Sequence, residues 1–194
     1  ALRMRADQPA MRARLSQARR FKLPLAQQMA QALLSELKRV PGVAEAVAAG
    51  SLRRQRETVG DLDLLVTAAR GAPVMERFVT GPRVSTVLSH GPTRAGVVID
   101  GGMQVDLRLV PPPSFGAALM YFTGSKAHNI ALRRMAQDRG LKLNEYGLFE
   151  GSRRIAGSTA AAVYPALGLP WIPPALRRAP GGLIREPVPG DRPR

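Results

Sequence analysis

At 194 residues and 45% apolar side chains, the chain can bury one core or two small ones, and it contains neither a bilayer-length apolar run nor a signal-peptide core. Its lack of cysteine excludes a disulfide framework and a thiolate metal site and points to a cytoplasmic protein. Twenty-nine basic residues, 25 of them arginine, face 14 acidic ones for a net charge of +15, so a polyanion is the expected partner and nucleic acid the first choice. The alternative is a solvated arginine-rich surface. The arginines are dispersed rather than set opposite an apolar helix face, which argues against membrane binding.

Residues 1–24 form a basic segment, with Arg3, Arg5, Arg12, Arg14, Arg19, Arg20 and Lys22 against Asp7 alone. Apolar residues spaced for one face predict a helix over 25–40, stopped by Pro41-Gly42. A strand over 43–49 feeds a Gly50-Ser51 turn. Short strands follow at 61–67, 83–88, 96–99 and 104–110, with a helix at 74–79, separated by Gly and Pro. The fold class this implies is α/β, a mixed sheet flanked by helices.

Pro111-Pro112-Pro113 marks a boundary. Helices are expected at 114–122 and 125–139, a hairpin-like pair at 141–149 and 153–156, and a last helix over 159–167. From Pro173 the chain is rich in Pro, Gly and Arg and reads as a linker or frayed end. The organisation is thus a basic segment (1–24), a catalytic unit (25–110), a smaller unit (111–172) and a tail (173–194).

The chemistry is concentrated in Gly50-Ser51-Leu52-Arg53-Arg54, then Asp61-Leu62-Asp63, and Asp106 within Val105-Asp106-Leu107-Arg108. Side chains two apart on a strand share a face, so Asp61 and Asp63 point together, and a neighbouring strand can bring Asp106 beside them. Aspartate is depleted from strand interiors, yet two sit in the apolar run DLDLLV. Hard oxygen ligands clustered this way call for cations, and paired Mg²⁺ ions clamping a phosphoryl centre are the usual answer. Gly50 and Ser51 look like the start of a short helix, where close backbone approach and free amides favour an anion. An ordinary helix cap is the alternative.

These motifs resemble those of a family X DNA polymerase of bacterial type, over its palm and thumb. The palm signature is Gly50-Ser51-Leu52-Arg53-Arg54 with Glu57, Gly60, Asp61 and Asp63, and the strand at Asp106 is similar to the family's third-carboxylate strand. Tyr121-Phe122-Thr123-Gly124-Ser125, His128-Asn129, Arg133 and Leu143-Asn144-Glu145-Tyr146-Gly147-Leu148 are similar to the nucleotide-gripping helix and hairpin of the thumb. The resemblance implies that Asp61, Asp63 and Asp106 are the catalytic residues and hold two Mg²⁺ or Mn²⁺ ions. It assigns the incoming nucleotide to Gly50, Ser51, Arg54, Gly60, Tyr121, Phe122, Gly124 and Asn129, and DNA to Arg133. Lys22 is similar to a family position that reaches the terminal phosphate, while Arg53 and Arg108 are either site residues or surface arginines.

The resemblance also implies limits. No match to the family's N-terminal helix-hairpin-helix region or C-terminal phosphoesterase domain is seen, so neither lyase nor exonuclease activity is expected. Gln104 stands where some relatives carry an arginine, so an ion pair holding Asp106 is not expected. His128 reads as a helix residue near DNA and His90 as a loop residue. The function implied is template-directed, monomeric DNA polymerase action on a primer-template, gapped as in short-gap repair, using deoxynucleoside triphosphates. The alternatives are a weakly catalytic DNA-binding remnant and a template-independent nucleotidyltransferase.

Overall fold

A computed structural model describes residues 19–177, and the chain divides into two units between Val110 and Pro111. The basic run over residues 1–18 and the tail beyond 177 lie outside the described residues.

In the first unit, β1 (Phe21–Lys22) leads directly into α1 (Leu23–Lys38), whose first turn holds Pro24, where a missing backbone N–H costs no helical bond. Ala26, Ala30, Leu33 and Leu37 repeat at helical spacing and are buried. There follow β2 (Val43–Ala48), the short α2 (Gly50–Arg53), β3 (Thr58–Val59), β4 (Asp61–Ala68), α3 (Val74–Val79), β5 (Val84–His90), β6 (Arg94–Ile99) and β7 (Gln104–Leu109). The five long strands form one sheet in the order β2-β4-β7-β6-β5. Only β4 and β7 run parallel; the other three pairings are antiparallel, so the sheet is mixed.

One face of this sheet carries Leu62, Leu64, Val66, Ala95, Val97, Val105 and Leu107, which share a core with the buried face of α1 and with Val74, Met75 and Phe78 of α3. Each large side chain buried there is worth about 1.5–3 kcal/mol. The helices therefore cover one face and leave the alternate residues of β4 and β7 on the other. Two corrections to the sequence reading arise here. Residues 21–24, assigned to the N-terminal segment, belong to this unit: β1 pairs with β3 and Phe21 is buried in the core. His90 is the last residue of β5, not part of a loop, and its Nε2 lies 3.9 Å from Glu76.

The second unit opens with a 3-10 turn (Pro112–Ser114) and continues through α4 (Phe115–Thr123), α5 (Lys126–Asp138), β8 (Lys142–Asn144), β9 (Gly147–Glu150), β10 (Arg153–Ala156), α6 (Val163–Ala166) and a second 3-10 turn (Pro174–Leu176). The expected pair over 141–156 is a three-stranded antiparallel sheet. Asn144 Oδ1 accepts from the amides of Tyr146 and Gly147 at 2.9 and 3.2 Å, and this side-chain turn breaks the run in two. The helix expected over 159–167 shrinks to α6. Thr159 Oγ1 accepts from the Ala162 amide at 3.2 Å, closing a turn, and Pro165 has no N–H to extend a longer helical ladder.

Residues 173–177 are not a frayed end. Arg177 is only 1% exposed, with its guanidinium 4.8 Å from the Trp171 ring centroid and 5.4 Å from that of Tyr164, and its Nε donates to the Ile172 carbonyl at 2.9 Å. Tyr164 belongs to the core formed by Met120, Leu132, Leu143, Leu148 and Leu167. His128, read as a helix residue near DNA, does lie on α5 but is buried in this unit, with its Nε2 2.8 Å from the Tyr164 hydroxyl.

Candidate active site

The register of the parallel pair fixes the candidate site. Asp61 lies opposite Gln104 and Asp63 opposite Asp106, and in-register residues of neighbouring strands point to the same face. All four therefore project away from the core formed by Leu62, Leu64, Val105 and Leu107. On the other flank of Asp106 the paired residue is Gly96, which adds no side chain.

The turn before β3 is hung on the same strand. The Ala49 amide donates to the Asp63 carbonyl at 2.8 Å, placing the start of α2 against the second carboxylate. Gly50 has φ +59°, and a Cβ built there would stand 2.1 Å from Asp63 Oδ2. Only glycine fits. Ser51 follows in the first turn of α2, and Arg54 caps its end with its amide donating to the Gly50 carbonyl at 3.2 Å. Gly60 links β3 to Asp61.

Electrostatics mark the face as a strained concentration of negative charge. Asp63 is pushed up to about 7, first by burial and then by the charges of Asp61 and Asp106, while Arg108 and Arg54 pull it down. Asp61 also lies above the ordinary carboxylate range, through burial and then Asp106, opposed by its own backbone hydrogen bond, Arg20 and Arg54. Arg54 is lowered by burial and by Arg56, against the pull of Asp63 and Asp61. Arg108 thus acts on Asp63.

The donor chemistry, oxygen-only and partly desolvated, suits a hard divalent cation. Among the described residues, however, no group of three or more His, Cys, Asp or Glu side chains is placed so that it could hold a metal ion. Asp63 lies against Gly50, and Asp106 Oδ2 accepts from Gln104 Nε2 at 2.9 Å. Gln104, read from sequence as unable to hold Asp106 through charge, holds it through a hydrogen bond from its uncharged amide. Its own Oε1 is buried without a hydrogen-bond partner.

The other expected residues lie in the second unit. Tyr121 and Phe122 end α4 in an edge-to-face pair with ring centroids 5.3 Å apart, and Gly124 follows with φ +65°. Asn129 Nδ2 donates to the Tyr121 carbonyl at 2.7 Å, tying α5 to the aromatic pair. Arg133 lies one helical turn beyond Asn129, on the same face of α5 and exposed. Lys22 is exposed on β1, and Arg53 ends α2.

Arg20 was missed. Its Nε donates to Thr58 Oγ1 at 2.8 Å and its Nη2 to the Thr58 carbonyl at 2.7 Å, near enough to Asp61 for its charge to act there. The sequence signalled it only as one more arginine of a basic run.

A mixed sheet with helices on one face and an aspartate pair plus a third aspartate on the other, followed by a smaller helix-and-hairpin unit, defines a nucleotidyltransferase-type palm joined to a thumb. The DNA polymerase beta palm family matches residues 24–91, and the DNA polymerase beta thumb family matches residues 118–178. The chain is 35% identical to the DNA polymerase/3'-5' exonuclease PolX of Bacillus subtilis (strain 168), over 84% of this chain and 29% of that protein. It is 31% identical to DNA polymerase lambda of Rattus norvegicus, over 68% of this chain and 28% of that protein. With DNA-directed DNA/RNA polymerase mu of Homo sapiens, the identity is 36% over 40% of this chain and 16% of that protein. The chain belongs to the family X DNA polymerases, the family of DNA polymerase beta, through its palm and thumb. It spans less than a third of the length of these three relatives.

Proposed function

We propose that this chain carries the catalytic palm and nucleotide-gripping thumb of a template-directed DNA polymerase, adding deoxynucleotides to a primer 3′-hydroxyl at short gaps in DNA repair. The observation that carries the reading is the in-register placement of Asp63, which lies against the Gly50 turn, and Asp106, with Asp61 on the same face. Asp61, Asp63 and Asp106 would hold two Mg²⁺ or Mn²⁺ ions, which when bound supply activation of the hydroxyl and neutralisation of the leaving pyrophosphate. Ser51, Arg54 and the Gly50 and Gly60 backbone receive the triphosphate. In the thumb, Tyr121, Phe122 and Gly124 contact the nucleotide's sugar, with Asn129 and Arg133 on the base-pair side. The net charge of +15 supplies the affinity for DNA phosphates.

A second reading, a DNA-binding remnant with feeble catalysis, is favoured by one observation: no three ligands are gathered to hold an ion among the described residues. Primer extension on gapped and ungapped DNA, with Mg²⁺ or Mn²⁺, separates the two. The polymerase reading expects template-matched extension that prefers the gap. DNA binding without extension under either ion supports the remnant.

A further inference from the structure

The pairing of β1 with β3 sets Lys22 opposite Thr58 and brings Arg20, just ahead of β1, back over Thr58. Two of the five guanidinium N–H donors are committed to Thr58, one to its hydroxyl at 2.8 Å and one to its carbonyl at 2.7 Å. The side chain is exposed, so these bonds bury nothing; what they do is hold a long, rotamer-rich side chain in one pose. Thr58 is followed by Val59 and Gly60 and then by Asp61, so the braced cation stands at the entry to the strand that bears the first carboxylate. Among the described residues, Arg20 and Asp61 form no ion pair, and the remaining donors of Arg20 have no protein acceptor.

We propose that Arg20, held by Thr58, is a phosphate ligand of the palm site, receiving a substrate phosphate at the mouth formed by residues 58–61. A planar fork fixed before the ligand arrives matches the geometry of a phosphate, and fixing it in advance lowers the entropy lost on binding. The charge of Arg20 acts on Asp61, so the braced guanidinium lies within electrostatic reach of the first carboxylate. The phosphate comes either from the triphosphate of the incoming nucleotide or from a DNA strand. This inference rests on the polymerase reading of the same site.

The test compares wild type with Arg20→Ala, Arg20→Lys and Thr58→Val in the full chain. It reads KM and kcat for one deoxynucleoside triphosphate, Kd for one-nucleotide-gapped DNA, and direct titration with the same triphosphate and with inorganic triphosphate. For the nucleotide source, Arg20→Ala raises KM and the titrated Kd about tenfold, as expected for one lost charge-assisted contact, with kcat and DNA affinity little changed. Arg20→Lys recovers part of the loss, and Thr58→Val falls between wild type and Arg20→Ala. For the DNA source, nucleotide constants hold, gapped-DNA affinity drops, and the slope of log affinity against log salt flattens by about 0.9. Unchanged nucleotide and DNA constants in Arg20→Ala, with unchanged thermal melting, overturn the inference. If the wild type fails to extend primers yet the titrations show the Arg20 effect, the polymerase reading fails and the phosphate site stands.

Discussion

Gly50 is shaped around Asp63: a methyl group in place of its hydrogen would stand 2.1 Å from the carboxylate oxygen Oδ2. The contact joins the two halves of the site, the turn proposed to receive phosphates and the strand proposed to hold cations. At φ +59° the position also disfavours any residue with a side chain. Gly50→Ala is therefore expected to turn Asp63 aside and lower the rate of nucleotide addition at least about 100-fold, a misplacement effect of the size known for small shifts of reacting groups. The stability cost should be only about 1–2 kcal/mol, because the clash involves one side-chain end. Single-turnover incorporation, with thermal melting as the control for folding, checks both numbers.

A second expectation concerns charge and stability. The folded-state pKa of Asp63, about 7, lies above its ordinary value of 3.8. Its contribution to stability is thus fully present below that ordinary value and is lost as pH rises through about 7. In EDTA at pH 8, Asp63→Asn should be more stable than wild type by about 1–2 kcal/mol, after allowance for solvent screening, while its nucleotide addition, assayed separately with Mg²⁺, is abolished. The difference should shrink toward pH 5. Denaturant unfolding of both proteins across this range makes the comparison, and equal stabilities at pH 8 would contradict it.

His128 titrates in the opposite sense. Burial first, then the charge of Arg177, lowers it from 6.5 to about 4. A depressed imidazole pKa means that stability is fully present above 6.5 and falls as pH drops toward 4, where the unfolded chain binds the proton that the folded thumb refuses. Trp171, the single tryptophan, packs edge to face on Tyr164 with ring centroids 5.1 Å apart and so reports on this unit. Its fluorescence should show the thumb melting earlier at pH 4.5 than at pH 7, with a smaller difference in His128→Gln.

Arg133 separates a polymerase from a passive binder. If the exposed face of α5 meets the nascent base pair during reaction, Arg133→Ala should slow correct incorporation about tenfold or more and change discrimination against mispaired nucleotides. Binding of primer-template without nucleotide should move little, one arginine being a small part of the phosphate attraction. Rates for matched and mismatched nucleotides at a one-base gap are the measurement.

The palm was legible where alternation and chemistry coincide. Aspartates at alternate positions of an apolar run gave both the strand and its exposed face, and β4 begins at Asp61 as that pattern implies. The pairing of β1 with β3 was not legible, since two-residue strands carry no periodicity, and with it went the position of Arg20. The contact from Gln104 to Asp106 was missed because the sequence was weighed for a charged partner, whereas the donor is an uncharged amide. In the thumb, a buried Arg177 looks like any arginine of a Pro-rich tail until the Tyr164 and Trp171 rings close on it. His128 was hidden in the same way, because its partner Tyr164 lies 36 residues away.

The most direct test of the central claim is single-nucleotide addition to a one-base-gapped DNA carrying each of the four template bases in turn, offered each deoxynucleoside triphosphate with Mg²⁺, for wild type and Asp106→Ala. The account predicts that wild type adds the complementary nucleotide in preference to the other three at every template base and needs the divalent ion. Asp106→Ala should add none while binding the gapped DNA nearly as well, because attraction to DNA phosphates is expected from many arginines together rather than from one carboxylate. Addition that ignores the template base, or addition by Asp106→Ala at the wild-type rate, would contradict it.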